Sequence, residues 1–286
     1  MEVKSAVIDV GSNSVRLMIS VNGKTQYKLV KITRLAEGYE KTGYLTEEAI
    51  KRTALAIDEF VKKAWLEKAQ RLFIFATAAV RNSKNGKEFC DYVYSLTGQK
   101  VEIVLGEVEA KLGLLGALNG KVGGIIDIGG ASTEIITHDG DKETYSKSVY
   151  VGVVSLKNAC GQDYALLEPF IDEKLKEFGL VPKTEFYGIG GTCTSIAAVM
   201  QELDPYDPLK VDGYRIRLGE LLKLQEKIFN MSEAQKEKMV GLQKGRAPVF
   251  AGGILLLTKI MQKLGVEYIT VSESDNLEGY LRFKEK

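Results

Sequence analysis

The chain of 286 residues is 45% hydrophobic and 27% charged, enough apolar material for about two domains with cores of their own. Lysine and arginine (39) balance aspartate and glutamate (38), so the strong field of a nucleic-acid or membrane-surface binder is missing. Cys90, Cys160 and Cys193 lack C-x-x-C spacing, which supports neither a disulfide framework nor a thiolate zinc site.

The opening Met-Glu-Val-Lys leads directly into a strand-like run, leaving no room for a signal peptide, and no apolar run approaches the roughly 18 residues of a membrane span. A cytoplasmic protein with neither nucleic acid nor membrane as partner is expected. Val3–Val10, Val15–Val21 and Gln26–Ile32 read as three strands joined by tight turns, Gly11–Ser14 and Asn22-Gly23, which predicts an antiparallel start to a sheet. Thr46 is placed to cap a helix whose Ile50, Ile57, Val61 and Ala64 share a face. Leu72–Ala76 reads as a buried strand leading into Thr77-Ala-Ala-Val-Arg81. A helix with Phe89, Val93 and Leu96 follows, stopped by Gly98. Val101–Leu105 is a further strand, and Gly106-Glu-Val-Glu-Ala110 opens a helix with an expected apolar stripe of Val108, Leu112 and Leu115. After Asn119-Gly120-Lys121 the pattern restarts: strands at 124–128, 134–138 and 143–149, separated by Gly129–Ser132 and Asp139-Gly140. Helices at 164–178, 218–229, 248–264 and 276–283 and strands at 185–189 and 266–271 complete the reading. This repeated order predicts a duplicated α/β fold.

The duplication centres on Ala6-Val-Ile-Asp-Val-Gly-Ser-Asn-Ser14 and its echo Ile125-Ile-Asp-Ile-Gly-Gly-Ala-Ser-Thr133. Each is a buried strand entering a small-residue turn suited to anion binding by backbone N–H groups. An aspartate beside such a turn usually just hydrogen-bonds it, but two in equivalent places, Asp9 and Asp127, suggest a divalent cation near a bound phosphate. Glu134 either reaches that ion or is an exposed strand residue. Glu109 is either an acid favoured by the helix dipole or a general base for water. Arg81, and more weakly Arg16, are candidate phosphate ligands against a reading as solvated arginines. Gly190, Gly191 and Thr192 form a third glycine turn, which either cradles phosphate or nucleoside or packs a helix onto a strand. His138, the single histidine, sits at a hairpin turn, which removes Ser-His-Asp and Cys-His chemistry. Cys193 reads as a packing residue.

Together these segments resemble the Ppx/GppA family of exopolyphosphatases and guanosine pentaphosphate phosphatases, within the actin-like (ASKHA) superfamily. The resemblance rests on Ile8–Arg16, Arg34–Gly38 with Thr42–Leu45, Ala76–Arg81, Gly106–Ala110, Asp127–Glu134, Gly190–Thr192, and Ala251-Gly-Gly with Val271-Ser. It implies two ribonuclease H-like domains around an interdomain cleft, residues 1–121 and 122–286, with the last helix (about 275–286) expected to pack back on the first. It also implies Mg²⁺-dependent (or Mn²⁺-dependent) release of terminal phosphate from polyphosphate or guanosine pentaphosphate. By motif match Glu109 is the catalytic glutamate, and Asp127 and Glu134 the metal acids, joined by Asp9. Gly11, Ser12, Asn13, Ser14, Gly129, Gly130, Ala131, Ser132 and Arg81 match phosphate-binding positions. Alternatives are a non-catalytic regulator that binds polyphosphate or guanosine penta- or tetraphosphate, and an ATP-dependent kinase or ATPase of the same superfamily; a homodimer is left open. Four departures stand out: Ala131 replaces the third glycine of the second turn, the helix usually opening Glu-Glu-Ala-Arg reads Glu-Val-Glu-Ala-Lys with Val108 and Lys111, the aspartate of an Arg-Ala-Asp pattern is missing near Gly245–Val249, and no helical third domain follows. If position 131 has φ > 0, alanine costs on the order of 1 kcal/mol there.

Overall fold

The computed structural model describes residues 2–285. The chain forms two compact units: the residues up to Gly116 together with those from Asn276 onward, and Ala117–Asp275. The division precedes Lys121 because Leu118 is buried and lies against Gly123 at the start of the second sheet.

In the first unit, strands β1 (Lys4–Val10), β2 (Ser14–Val21) and β3 (Lys24–Ile32) are followed by helices α1 (Tyr39–Thr42) and α2 (Glu47–Leu66). Then come β4 (Arg71–Ala76), α3 (Ala78–Asn82), α4 (Gly86–Thr97), β5 (Glu102–Ile103) and α5 (Gly106–Ala117). The sheet order is β3-β2-β1-β4-β5. β1, β2 and β3 pair antiparallel as expected, and β1, β4 and β5 run parallel. Thr46 caps α2 as predicted, its Oγ1 accepting from the Ala49 N–H at 3.2 Å. β5 is shorter than the expected Val101–Leu105, since the register of this edge strand with β4 covers Glu102 and Ile103, followed by one bond from the Val104 N–H to the Ala76 carbonyl at 2.9 Å. The buried face of α5 is also displaced from the expected stripe: Leu112 is buried, but Val108 and Leu115 are half-buried, and Glu109, Ala110, Gly113 and Gly116 take the inner positions.

The second unit repeats the plan with β6 (Gly123–Ile128), β7 (Thr133–His138), β8 (Glu143–Val149), α6 (Val153–Cys160) and α7 (Tyr164–Lys176). It continues with β9 (Phe186–Ile189), α8 (Gly190–Met200), α9 (Pro208–Val211), β10 (Arg215–Arg217), α10 (Leu218–Phe229), α11 (Glu233–Lys236), α12 (Ala247–Leu264) and β11 (Tyr268–Val271). Sheet order is β10-β11-β9-β6-β7-β8, again a three-strand antiparallel meander joined to parallel neighbours. α12 corrects one expectation. Its 18 residues are long and apolar enough, by length and composition, to cross a membrane, yet 78% of them are buried inside the unit. It packs on α6, α7, α8 and α10, so its all-round apolarity is that of a core helix.

The last helix, α13 (Asn276–Glu285), belongs to the first unit. Leu277, Tyr280 and Leu281 join Val7, Phe75 and Leu112 in its core, with the Tyr280 ring stacked on Phe75 at 4.4 Å. Both units thus have the ribonuclease H-like layout, a mixed sheet with its meander first and helices packed on it.

Candidate active site

In each unit the candidate residues collect at the carboxyl ends of adjacent parallel strands, where open α/β sheets gather ligands. In the first unit β1 ends in Asp9 and the first turn, β4 leads to Arg81, and β5 leads to Glu109. In the second, β6 ends in Asp127 and the second turn, and β9 leads into the third.

The two small-residue turns are built alike. The Gly11 N–H donates to the Ser14 carbonyl at 3.0 Å, and the Gly129 N–H to the Ser132 carbonyl at 2.9 Å. In both, neighbouring carbonyls are held from behind. The Ala36 N–H donates to the Ser12 carbonyl at 3.0 Å, and those of Thr33 and Arg34 to the Asn13 carbonyl at 3.0 and 2.9 Å. In the second turn the first amides of α6 take this part: Val153 donates to Gly129 at 3.0 Å, and Val154 and Ser155 to Gly130 at 2.7 and 3.1 Å. A trans peptide sets C=O and N–H on opposite sides. Anchoring these carbonyls therefore turns the N–H groups of Asn13, Gly130 and Ala131 the other way, as an anion nest requires. The Asn13 carboxamide adds to this: it is buried, and neither its oxygen nor its nitrogen has a hydrogen-bond partner among the described residues. A buried amide in that state is suited to a ligand or water.

The charged candidates form pairs. Arg81 Nη1 donates to Glu109 Oε2 at 2.8 Å and to the Val104 carbonyl at 2.8 Å, fixing the Glu109 carboxylate at the start of α5. Asp9 stands opposite Arg16 in the β1–β2 register, and its Oδ2 accepts from Arg16 Nε at 3.0 Å and from Nη2. Two residues expected to meet phosphate and metal thus bind each other. The equivalent register position in the second unit pairs Asp127 with Glu134, two carboxylates directly opposed. Both are buried, and Glu134 Oε1 accepts from Ser148 Oγ at 2.5 Å. Like charges opposite one another destabilise a sheet unless a cation joins them. The donor set, two hard carboxylates beside an anion nest, fits a divalent cation that keeps several waters. No cluster of three or more acidic, histidine or cysteine ligands occurs among the described residues, so such an ion would rest on this pair.

The third turn lies over Asp127. Gly190 has φ +76°, and a Cβ there would come within 2.6 Å of Asp127 Oδ1, so backbone geometry and space both demand glycine. Thr192 Oγ1 donates to the Ile128 carbonyl at 2.8 Å, stitching this turn to β6. Cys193 is fully buried against Gly188, and burial together with the nearby Asp127 charge pushes its thiol pKa up, as suits a packing residue. His138 Nδ1 accepts from the Gly140 N–H at 3.0 Å within its hairpin.

Sequence reasoning missed Arg246. It is buried at the N-terminus of α12, its Nε donates to Gln243 Oε1 at 2.9 Å, and its guanidinium lies where a side chain on Gly191 would be. The Gly-Arg-Ala-Pro segment carried the signal, since a cation just before a long apolar helix is an unusual cap. The Asp9–Arg16 and Asp127–Glu134 pairings were also in reach, because the turn length fixes the register of each hairpin.

The sequence matches the Ppx/GppA phosphatase family over residues 5–284. Exopolyphosphatase 2 of Mycobacterium tuberculosis is 28% identical over 308 residues, spanning 96% of this chain and 96% of that one. The guanosine-5'-triphosphate,3'-diphosphate pyrophosphatase of Photobacterium profundum is 28% identical over 286 residues, 96% of this chain and 58% of that one. The crystal structure of the Aquifex aeolicus Ppx/GppA family member superposes with a TM-score of 0.80 at 28% identity, covering 100% of this chain and 99% of that chain. With a match running from the first strand to the last helix, the chain belongs to the Ppx/GppA phosphatase family.

Proposed function

We propose that this protein hydrolyses phosphoanhydride bonds, releasing terminal phosphate from inorganic polyphosphate, from guanosine pentaphosphate, or from both. The names of the relatives support this substrate class. The observation that carries the mechanism is the Arg81–Glu109 pair, held beside the first turn at the ends of neighbouring strands.

The N–H groups of the turns and the Asn13 amide bind phosphate oxygens without needing to reorganise, which is the main protein contribution in phosphoryl transfer. Glu109, oriented by Arg81, accepts a proton from the attacking water. The water oxygen forms a bond to the terminal phosphorus, the bridging P–O bond breaks, and the shortened chain leaves with the bond's electrons. Asp127 and Glu134 would hold Mg²⁺ or Mn²⁺, which supplies charge neutralisation to the phosphate oxygens. Arg246, buried at the third turn, adds positive charge on that side of Asp127.

Glu109→Gln keeps the size of the side chain and removes the base. Phosphate release from polyphosphates of several lengths and from pppGpp should fall on the order of 10²–10⁴-fold, with the folded state retained by circular dichroism. Release at the parental rate would overturn the assignment. The length series decides between the substrates.

A further inference from the structure

The helix that carries Glu109 is seated on the last helix of the chain. α13 is anchored to both edge strands of the first sheet. From β3, Thr25 Oγ1 donates to Glu278 Oε1 at 2.7 Å and Lys28 Nζ to Glu278 Oε2 at 2.9 Å. At β5, Glu102 Oε2 accepts from Tyr280 OH at 2.8 Å and from Lys284 Nζ at 2.6 Å. Its position is therefore set by the sheet.

α5 meets this rail at two places. Gly279 lies so close to α5 that a Cβ there would run into the Leu112 carbonyl oxygen. One turn further along, Arg282 Nη1 donates to the Leu115 carbonyl and to the Gly116 carbonyl at 3.1 Å. The last carbonyls of a helix have no partner within it, and a cation at that end also complements the dipole. At the opposite end, Arg81 grips Glu109 and the Val104 carbonyl. α5 is held at its start by Arg81, in its middle by Gly279 and at its end by Arg282.

We propose that α13 sets the axial position of α5, and through it the carboxylate of Glu109, with Arg282 as a positioning residue for hydrolysis. The proposal rests on the assignment of Glu109 as the base. Arg282 touches no reacting atom. Without it, α5 can slide or fray from its C-terminal end, and a displacement of about 1 Å at a reacting group is enough to lower a rate up to 10²-fold.

The test uses the full-length protein, with phosphate release from polyphosphate as the assay. Arg282→Ala should lower kcat on the order of tenfold, with KM and the circular dichroism spectrum unchanged. Arg282→Lys, which can still donate to one carbonyl, should recover most of the rate. In a Glu109→Gln background, Arg282→Ala should cause no further loss. Parental kcat in Arg282→Ala would overturn the proposal, and so would an undiminished effect of that change in the Glu109→Gln background. Should Arg282→Ala not fold, Arg282→Gln and Arg282→Lys carry the same comparison, since both fill the site with a donor; kcat should then fall from Arg through Lys to Gln, and an Arg282→Gln rate equal to the parent's would overturn the proposal. If Glu109→Gln alone releases phosphate at the parental rate, the assignment of the base fails, an outcome distinct from a failure at Arg282 while Glu109→Gln is inactive.

Discussion

At Ala131, where the family resemblance leads one to expect glycine, strain would follow from a positive φ, but the residue is not among the non-glycine positions with positive φ. It is buried, and its carbonyl accepts from Ser155 Oγ at 3.1 Å. Alanine therefore costs nothing in that backbone. Ala131→Gly should destabilise the protein by about 0.5–1 kcal/mol through added unfolded-state freedom, measured by denaturant unfolding; a gain in stability would restore the strained reading. The acids make a second case. Asp9, bound to Arg16, and Asp127, opposed to Glu134, stand near the ends of equivalent strands before equivalent turns, yet the residue seven positions on is a cation in one copy and an acid in the other. Asp127→Asn should weaken Mg²⁺ binding at least roughly tenfold by calorimetry, whereas Asp9→Asn should change it little. Equal losses would mean that both acids share the ion.

Among the elements, α2 ends on an acid, Glu67, where the helix dipole disfavours negative charge. Three donors offset this: Lys63 Nζ at 2.9 Å, Tyr27 OH at 3.0 Å and Lys4 Nζ at 3.4 Å tie the helix end to β3 and β1. The hydrogen bond from Lys63, then those from Tyr27 and Lys4, lower the Glu67 pKa from 4.5 to about 2. Because the folded value lies below the unfolded one, the contribution is present above pH 4.5 and is lost as pH falls through about 2. Glu67→Gln should therefore lower Tm at neutral pH, with the difference closing across that window; a constant difference in Tm would exclude the ionic contribution. α2 was legible in the sequence through its cap and its apolar face. The inner face of α5 was not, because Glu109 pairs with Arg81 while the backbone at Leu112 and Gly116 meets α13, contacts that periodicity does not encode.

Across the whole molecule, the sequence by itself determined the duplicated plan: two meanders, two small-residue turns after buried strands, and helices with caps and stops at readable places. These are local properties, written in alternation, helical spacing and turn residues within a few positions of one another. The tertiary structure decided which charges neutralise each other. Arg81 reaches Glu109 across two parallel strands, Arg246 reaches Gly191 from a helix that starts far along the chain, and α13 returns to the first unit to seat α5. Such contacts depend on crossovers and strand order, which bring together residues whose separation in sequence carries no periodic signal. The same turn could therefore be recognised twice from residues alone, while the chemistry beside each copy had to be read from the fold.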